Sequence, residues 1–377
     1  MNKGEKMQDE RFMAAAVRLA ERHIGLTGEN PSVGALVVQS DGTAGGIIVG
    51  YGVTAVHGRP HAEVQALRMA GSSSRGATIY VTLEPCSHYG KTEPCVNAII
   101  DSGIARVVIA LSDADNRVNG RGIALLRAAG IEVVEGVLAE KAFEALCDHL
   151  CVKKLRRCAV TFKIAISADN GVGKKGQGGV KISGTASHAH THILRAQNNA
   201  IVVGIDTILA DNPRLDCRLL GLGMRSPIRV VLDTDLRIPL DMEVVKTAAK
   251  IPTWIICDAD FSKKNKIMAL EQHGVSVRSV EVSDGCMQPL AILQLLYKCG
   301  ISSVLLEGGA KTGEKFLNAG CVDHLICFHT PVVLGEDRIE APRFEKYLSE
   351  FCKVETKMFG NDRFCKWRRK TLCLQEL

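Results

Sequence analysis

The sequence predicts two α/β domains in one chain of 377 residues. That length exceeds a typical single domain. Short apolar strands alternate with amphipathic helices in both halves of the chain, as expected for α/β folds. A basic run from Lys153 to Arg157 follows the first series and is typical of a solvated surface segment at a domain junction. We therefore expect domains at residues 1–147 and 148–377.

The first half of the chain predicts five helices and five strands. One helix places Phe12, Ala16 and Leu19 on one apolar face, and Asp41-Gly42 marks a hairpin turn. Helices are expected at Arg11–Arg22, Ala62–Ala70, Val96–Ser102, Gly122–Ala129 and Lys141–Leu155. Strands are expected at Ala35–Val38, Gly46–Tyr51, Ala77–Leu83, Arg106–Ala110 and Ile131–Val134.

The second half predicts a largely parallel sheet. Its strands are separated by long segments, which favour crossover connections over hairpins. Strands are expected at Ala159–Ile166, Ala200–Val203, Ile228–Leu232, Thr253–Cys257, Ser303–Leu306 and His324–Phe328. Helices are expected at Ser187–Ala196, Gln288–Lys298 and Thr312–Ala319. The tail after Glu340 has no functional interpretation.

The composition indicates a globular, reduced protein. The chain is 46% hydrophobic and 23% charged, with a net charge of +6, and no block of like charges is typical of a nucleic-acid-binding arm. The polar start MNKGEKMQDE has no apolar core of a signal peptide, and no stretch has the length and apolarity of a membrane span. The fourteen cysteines are scattered. We expect a cytoplasmic protein that binds neither nucleic acid nor membranes.

The segment from His61 to Cys95 predicts a catalytic zinc site. A catalytic zinc ion usually has three protein ligands and an open fourth position, and His61, Cys86 and Cys95 supply suitable donors. Glu63 lies two residues after the histidine, as does the proton-transferring glutamate of zinc deaminases. We expect His61 and Glu63 to open a helix, Cys86 to end a strand, and Cys95 to open the next helix, whose N-terminus stabilises a thiolate.

Two alternatives follow from the same residues. Zinc deaminases commonly space their two cysteines as P-C-x-x-C, whereas eight residues separate Cys86 from Cys95 here. We expect the insertion to form a polar loop beside the metal that is able to reach a substrate. A nucleic-acid deaminase with an appended domain shares the short motif. A structural zinc site would need a fourth protein ligand, for which His88 is the candidate.

The motif TLEPCSHYGKTEPC resembles the deaminase half of a bifunctional riboflavin-biosynthesis family. That family joins diaminohydroxyphosphoribosylaminopyrimidine deaminase to 5-amino-6-(5-phosphoribosylamino)uracil reductase. The segments FKIAISADNGVG, HILRAQNNAIVVGIDTILADNPRLDCRL and LLEGGAKTGEKFLNAGCVDHL resemble its reductase half, in order. The resemblance covers about residues 8 to 340. It implies a cytidine-deaminase-like three-layer domain followed by a dihydrofolate-reductase-like domain.

The resemblance also implies cofactors, substrates and site residues. Zn²⁺ serves the deamination of 2,5-diamino-6-(5-phosphoribosylamino)pyrimidin-4(3H)-one, and NADPH serves reduction of the product's ribose to a ribityl chain. A homodimer is implied. NADPH would contact Ala165, Thr207, Asp211, Gly309, Ala310, Lys311, Thr312, Gly313, Glu314 and Lys315. Substrate would contact Arg195, Leu215, Arg218 and Glu307.

Some positions depart from the family pattern. Gly179 and Lys181 stand where the reductase usually has Ser-x-Trp, which makes a deaminase with an impaired reductase a further alternative. Glu29 replaces the first proline of a Pro-Asn-Pro motif, and DADNRVNGRG lacks prolines that are common there.

Overall fold

The computed structural model describes residues 3–42, 45–90, 92–113, 120–259, 263–283 and 285–372. The chain divides between Leu155 and Arg156 into two compact units. The boundary expected between residues 147 and 148 falls inside a continuous helix, Ala139–Leu155. Six residues of DADNRVNGRG, 114–119, lie outside the described part of the chain. No helix within the described residues has the length and apolarity to span a membrane.

The described part of the first unit contains five strands and five α-helices. In chain order they are α1 (Lys3–Glu21), β1 (Gly34–Gln39), β2 (Ile47–Val53), α2 (Ala62–Ala70), β3 (Thr78–Val81), α3 (Cys95–Asp101), β4 (Arg106–Ile109), α4 (Arg121–Ala128), β5 (Glu132–Glu135) and α5 (Ala139–Leu155). The sheet order is β2-β1-β3-β4-β5. β1 is antiparallel to β2 and β3, while β3, β4 and β5 are parallel. Every predicted element of this half is confirmed.

Glycines let helices approach both faces of this sheet. A Cβ on Gly34 would lie 2.0 Å from the carbonyl oxygen of Ala16 in α1. On β2, a Cβ on Gly52 would lie 2.2 Å from the carbonyl oxygen of Ala62 in α2. Gly52 is paired with Ala35, the residue after Gly34, and successive strand residues face opposite sides. α1 and α2 therefore cover opposite faces, which confirms the predicted three layers.

The second unit is built on a nine-stranded sheet. Its elements are β6 (Ala159–Ile166), β7 (Gly171–Lys174), α6 (Thr185–Gln197), β8 (Ala200–Gly204), α7 (Ile205–Asp211), β9 (Ile228–Leu232), α8 (Glu243–Lys246), β10 (Thr253–Asp258), α9 (Lys264–Gln272), β11 (Val275–Val280), β12 (Val282–Ser283), β13 (Cys286–Met287), α10 (Pro289–Lys298), β14 (Ser303–Leu306), α11 (Ala310–Asn318), β15 (His324–His329), β16 (Arg338–Glu340), β17 (Phe351–Phe359) and β18 (Asp362–Arg369).

The sheet order is β11-β10-β9-β8-β14-β6-β15-β18-β17. The first seven strands are parallel, which confirms the predicted crossovers, and their apolar runs are buried under helices on both faces. The tail that had no interpretation forms the antiparallel β17–β18 hairpin at one edge. Two short strands, β7 and β16, pair as a separate ribbon.

Candidate functional site

The start of α2 places two of the predicted zinc-site residues. His61 is the N-cap residue of α2, and Glu63 lies in its first turn, as the sequence predicts. Glu63 is 4% exposed, because α2 packs closely on β2 through Gly50 and Gly52. The helix start lets His61 and Glu63 face the same cleft, which two residues in mid-helix would not do.

The two cysteines reach the same point from a loop and from a second helix. Cys95 is the first residue of α3, as predicted. Cys86 does not end a strand, because β3 stops at Val81 and the chain continues as a loop to Cys86. The Cys95 amide donates a hydrogen bond to the Cys86 sulfur over 3.3 Å. The N-terminus of α3 therefore stabilises the neighbouring thiolate as well as its own.

The three predicted ligands converge closely enough to hold one metal ion. The Nδ1 atom of His61 lies 3.3 Å from the Cys95 sulfur and 3.7 Å from the Cys86 sulfur, and all three donor atoms lie within 4.8 Å of one another. Zinc–sulfur and zinc–nitrogen bonds in a tetrahedral site separate such donors by about 3.6 Å. The side chains therefore fit a zinc ion without rearrangement.

The electrostatics of this cluster favour a bound cation. A hydrogen bond from Cys95 lowers the pKa of the Cys86 thiol to about 4, and the same contact raises the pKa of Cys95. Burial raises the pKa of the Glu63 carboxyl to about 7, and the Cys86 thiolate adds to that shift. A bound dication would lower the pKa of both thiols, so that both would be deprotonated.

Two of the three predicted ligands, His61 and Cys86, line a cleft together with Glu63. Glu84, which the sequence did not single out, lies at its base and is 3% exposed. Its carboxylate accepts hydrogen bonds from the backbone amides of Asp113, Gly120, Gly122 and Ile123 over 3.0–3.3 Å. Glu84 thereby ties the segment before Cys86 to the start of α4. The sequence signal that could have identified Glu84 is its position directly before Pro85-Cys86.

The second unit has a cleft of about 1710 Å³ at the carboxyl ends of its parallel strands. This is where open α/β sheets bind ligands. The cleft is lined by residues that follow β8, β9 and β14 along the chain. Seven of the ten predicted cofactor residues line it: Thr207, Asp211, Gly309, Ala310, Lys311, Thr312 and Lys315. The glycine-preceded N-terminus of α11 contributes four of them.

Three predicted cofactor residues do not line this cleft. Ala165 is on β6 and packs against a hydrophobic cluster that includes Phe328 and Phe364. Gly313 is buried in α11, where a Cβ would lie 2.1 Å from the ring of Phe162. Glu314 forms an ion pair with Lys346 over 3.4 Å. The glycine at 313 therefore serves helix–strand packing.

The glycine at position 179, where the family usually has serine, has a conformational reason. Gly179 has φ = 65°, a left-handed conformation that favours glycine over serine. Its amide donates a hydrogen bond to the Asp211 carboxylate over 2.8 Å, and both residues line the cleft. Lys181 is exposed.

Two of the predicted substrate residues pair with each other. Arg195 on α6 and Glu307, directly after β14, form a bidentate ion pair with distances of 2.7 and 2.9 Å. Burial alone would raise the pKa of Glu307, but the Arg195 guanidinium outweighs it and holds that pKa well below its usual value. Lys163 on β6 lies near this pair, and burial lowers the pKa of its ammonium group. The sequence analysis did not single out Lys163.

The other two substrate residues share a loop that packs on α6. Leu215 is buried at φ = 52°, and Arg218 forms an ion pair with the buried Asp216. Arg195 donates a hydrogen bond to the Asp216 carbonyl oxygen over 3.0 Å. His192, also missed by the sequence analysis, accepts a hydrogen bond from the Arg218 amide over 3.4 Å. The four predicted substrate residues therefore belong to one group of contacts, in which Asp216 and His192 connect the loop to α6.

The two units match two different family models. Residues 6–111 match the cytidine and deoxycytidylate deaminase zinc-binding region, and residues 159–362 match the RibD C-terminal domain. These ranges correspond to the unit with the His-Cys-Cys cluster and the unit with the large parallel sheet.

Similar proteins are known along nearly the full length. The riboflavin biosynthesis protein RibD of Bacillus amyloliquefaciens is 41% identical over 87% of this chain and 85% of its own. RibD of Aquifex aeolicus is 36% identical over 94% of this chain and 95% of its own.

Solved structures agree over both units. Acinetobacter baumannii RibD matches with a TM-score of 0.82 and 30% identity, covering 97% of this chain and 99% of that one. A Thermotoga maritima diaminohydroxyphosphoribosylaminopyrimidine deaminase/5-amino-6-(5-phosphoribosylamino)uracil reductase matches with a TM-score of 0.81 and 31% identity over the same shares. The chain belongs to the RibD family of riboflavin biosynthesis and is an enzyme with a zinc-dependent deaminase domain followed by an NADPH-dependent reductase domain.

Proposed function

We propose that the first unit deaminates 2,5-diamino-6-(5-phosphoribosylamino)pyrimidin-4(3H)-one and that the second reduces the ribose of the product. The T. maritima protein, which matches this chain over both units, carries both activities in its name. The observation that carries the proposal is the convergence of His61, Cys86 and Cys95 beside the buried Glu63.

His61, Cys86 and Cys95 are proposed as the zinc ligands. Zinc, when bound, lowers the pKa of a coordinated water to about 7, so that a nucleophile forms at neutral pH. Glu63 is the proposed catalytic residue. Its carboxylate takes one proton from water and passes it to the ring nitrogen, and it then carries water's second proton to the amine that leaves as ammonia.

The cleft of the second unit is proposed to bind NADPH, which supplies the hydride for the reduction. The N-terminus of α11 offers backbone amides to a phosphate, and Lys311 and Lys315 add positive charge beside it. Thr207 and Asp211 line the same cleft from α7. Ala165, Gly313 and Glu314 are also proposed to take part in NADPH binding, as the family resemblance implies. Because these residues pack or pair outside the cleft, we propose that their effect on NADPH binding is indirect.

Arg195, Leu215, Arg218 and Glu307 are proposed to hold the substrate of the second unit. Because Arg195 and Glu307 already pair bidentately, Arg218 is the better candidate for a phosphate contact. Its side chain is 45% exposed, and Asp216 orients it. Lys163 lies near the Arg195–Glu307 pair and is proposed to contact the same substrate.

The enzyme is also proposed to be a cytoplasmic homodimer that binds no nucleic acid. The modest net charge of +6 and the interspersed acidic residues support the last point. Sedimentation analysis of the purified protein tests the dimer, and titration with RNA at low salt tests the absence of binding.

A single experiment tests both proposed activities. The zinc-loaded enzyme is given the ribosylated, phosphorylated diaminopyrimidine with NADPH, and ammonia release and NADPH oxidation are followed together. We expect both, with ammonia leading. Ammonia without NADPH oxidation would support the alternative of an impaired reductase. Absence of both from a zinc-loaded sample would overturn the assigned substrate, and deamination of cytidine in RNA would favour the nucleic-acid deaminase.

A further inference from the structure

Arg59 holds an unusual position at the zinc cleft. It lies two residues before His61, in the segment that enters α2. Its guanidinium donates a hydrogen bond to the Thr92 hydroxyl, in the polar loop that leads to Cys95. Arg59 therefore bridges the two chain segments that carry His61 and Cys95. It is half-buried and lines the cleft, at the rim of which the loop lies.

Most of the donor capacity of Arg59 remains available. A guanidinium has five N–H donors. Thr92 is its one hydrogen-bond partner among the residues that the structure describes. The nearest atom to a Cβ built on Gly90 is Nη2 of Arg59, at 3.5 Å, so the guanidinium lies against the backbone of the loop. No carboxylate pairs with Arg59 in the described part of the chain, unlike Arg195 and Arg218 in the second unit.

Four carboxylate residues line the cleft: Glu29, Glu63, Glu84 and Asp113. Glu84 is saturated by four backbone amides, and Glu63 is buried beside the zinc ligands. Positive charge at the rim comes from Arg59 and from Lys153 on α5. Lys153 belongs to the basic run that the sequence analysis interpreted as a solvated surface segment. The cleft is therefore lined by charges of both signs, and its arginine and lysine side chains are Arg59 and Lys153.

The phosphate of the substrate is a suitable partner for the guanidinium of Arg59. A phosphoribosylated pyrimidine presents its ring to the metal, and the ribose separates the ring from the phosphate. The phosphate must therefore lie toward the rim when the amine-bearing carbon lies at the base. Arginine is the side chain best suited to pair with a phosphate, because its planar donors form two parallel hydrogen bonds.

We propose that Arg59 binds the phosphate of the deaminase substrate and so makes the first unit select phosphorylated over unphosphorylated pyrimidines. This inference rests on the proposed deaminase function. It makes Arg59 a specificity-determining residue, and its bond to Thr92 orients the guanidinium for the contact.

The experiment compares two substrates with four enzymes. Ammonia release is measured for the phosphorylated substrate and for its dephosphorylated riboside, with wild type and the variants Arg59→Met, Thr92→Val and Lys153→Met. We expect Arg59→Met to raise KM for the phosphorylated substrate by about 10- to 100-fold, the usual range for one charged hydrogen-bonded contact, with kcat retained. KM for the riboside should not change. Thr92→Val should raise KM for the phosphorylated substrate by a smaller factor.

Two readouts besides turnover separate recognition from damage. Ribose 5-phosphate is used as a competitor, and its inhibition constant for ammonia release should rise in Arg59→Met as the KM does. The zinc content of the purified variant should equal that of wild type. Equal losses with both substrates, or loss of zinc, would show that Arg59 only supports the fold and would overturn the proposal.

The remaining outcomes also decide between alternatives. KM for the phosphorylated substrate alone could rise in Lys153→Met and stay unchanged in Arg59→Met. That result would assign the phosphate contact to α5 and overturn the role of Arg59. If wild type releases no ammonia from either substrate, the proposed deaminase function itself fails, which is distinct from failure of the Arg59 assignment.

Discussion

Arg195 and Glu307 form a bidentate ion pair across 112 residues of sequence, with Nε–Oε1 at 2.7 Å and Nη2–Oε2 at 2.9 Å. The pair joins α6 to the carboxyl end of β14, and Arg195 also donates to the Asp216 carbonyl oxygen. One buried contact therefore connects all the elements that carry the proposed reductase substrate residues.

Replacing Glu307 with Gln should impair the reductase selectively. The variant removes the charge that holds Arg195 in place, so kcat/KM for NADPH oxidation should fall by about 100-fold, the scale of one misplaced catalytic contact. Ammonia release should be unchanged, because it depends on the first unit. Steady-state assays of both activities check this. Loss of both activities would indicate general misfolding and contradict a selective role.

The same pair predicts how stability depends on pH. The Glu307 pKa is depressed in the folded state, so the pair contributes stability above the unfolded pKa of about 4.3 and loses it as pH falls through the lower folded value. The gap in unfolding free energy between wild type and Glu307→Gln should therefore shrink from pH 7 to pH 3. Urea unfolding of the second unit at both pH values measures this gap. A constant gap would contradict the depressed pKa.

Replacing Glu63 with Gln should abolish deamination while the metal is retained. Positioned general acid–base groups contribute about 10²- to 10⁴-fold, so ammonia release should fall by that factor. Zinc content should be unchanged, because Glu63 is not a proposed ligand. Glu93→Gln is the matched control, since Glu93 is an exposed glutamate in the loop before Cys95 and accepts a hydrogen bond from Asn97. Intact ammonia release in Glu63→Gln would refute the catalytic assignment.

Removing zinc should separate the two activities. Dialysis against a chelator, or the variant Cys86→Ser, should eliminate ammonia release and leave oxidation of NADPH by the deaminated product intact. Zinc content by atomic spectroscopy reports the loss directly. Cys299→Ser is the control, because that partly exposed thiol lies on the second unit and outside the cluster. Full zinc retention in Cys86→Ser would exclude Cys86 as a ligand.

Replacing Gly313 with Ala should destabilise the second unit. The added Cβ would lie 2.1 Å from the Phe162 ring, and overpacking of this kind costs about 1–3 kcal/mol. Thermal unfolding should show a lower Tm for that unit. Gly173→Ala is the control, because its Cβ would be 3.8 Å from the nearest atom, Cδ1 of Ile339. Equal Tm values for the two variants would contradict the packing role of Gly313.

The zinc cluster was predictable because its signal is local. His61 and Glu63 are two residues apart at a helix start, and the two cysteines each follow a proline. The helix positions of His61, Glu63 and Cys95 are confirmed. Only the place of Cys86 was wrong, because β3 ends at Val81 and the loop after it is held by Glu84 through amides far along the chain.

The reductase cleft was less predictable, because its residues act through distant partners. Gly313 and Glu314 belong to a glycine-rich segment that resembles a phosphate-binding loop, yet one packs on Phe162 and the other pairs with Lys346. Lys163 and His192 were missed since an isolated lysine or histidine carries no local signal. The β17–β18 hairpin was missed because basic residues interrupt the alternation of its buried side chains.

The sequence by itself determined the two α/β units, the largely parallel sheet of the second unit and the His61-Cys86-Cys95 cluster, because periodicity and motif spacing are properties of neighbouring residues. The tertiary structure alone decided that Arg195 binds Glu307, that Glu84 anchors the loop before Cys86, and that Arg59 lies over the zinc cleft. Each of these contacts joins segments far apart in the chain, so its energy depends on a packing that no local pattern records.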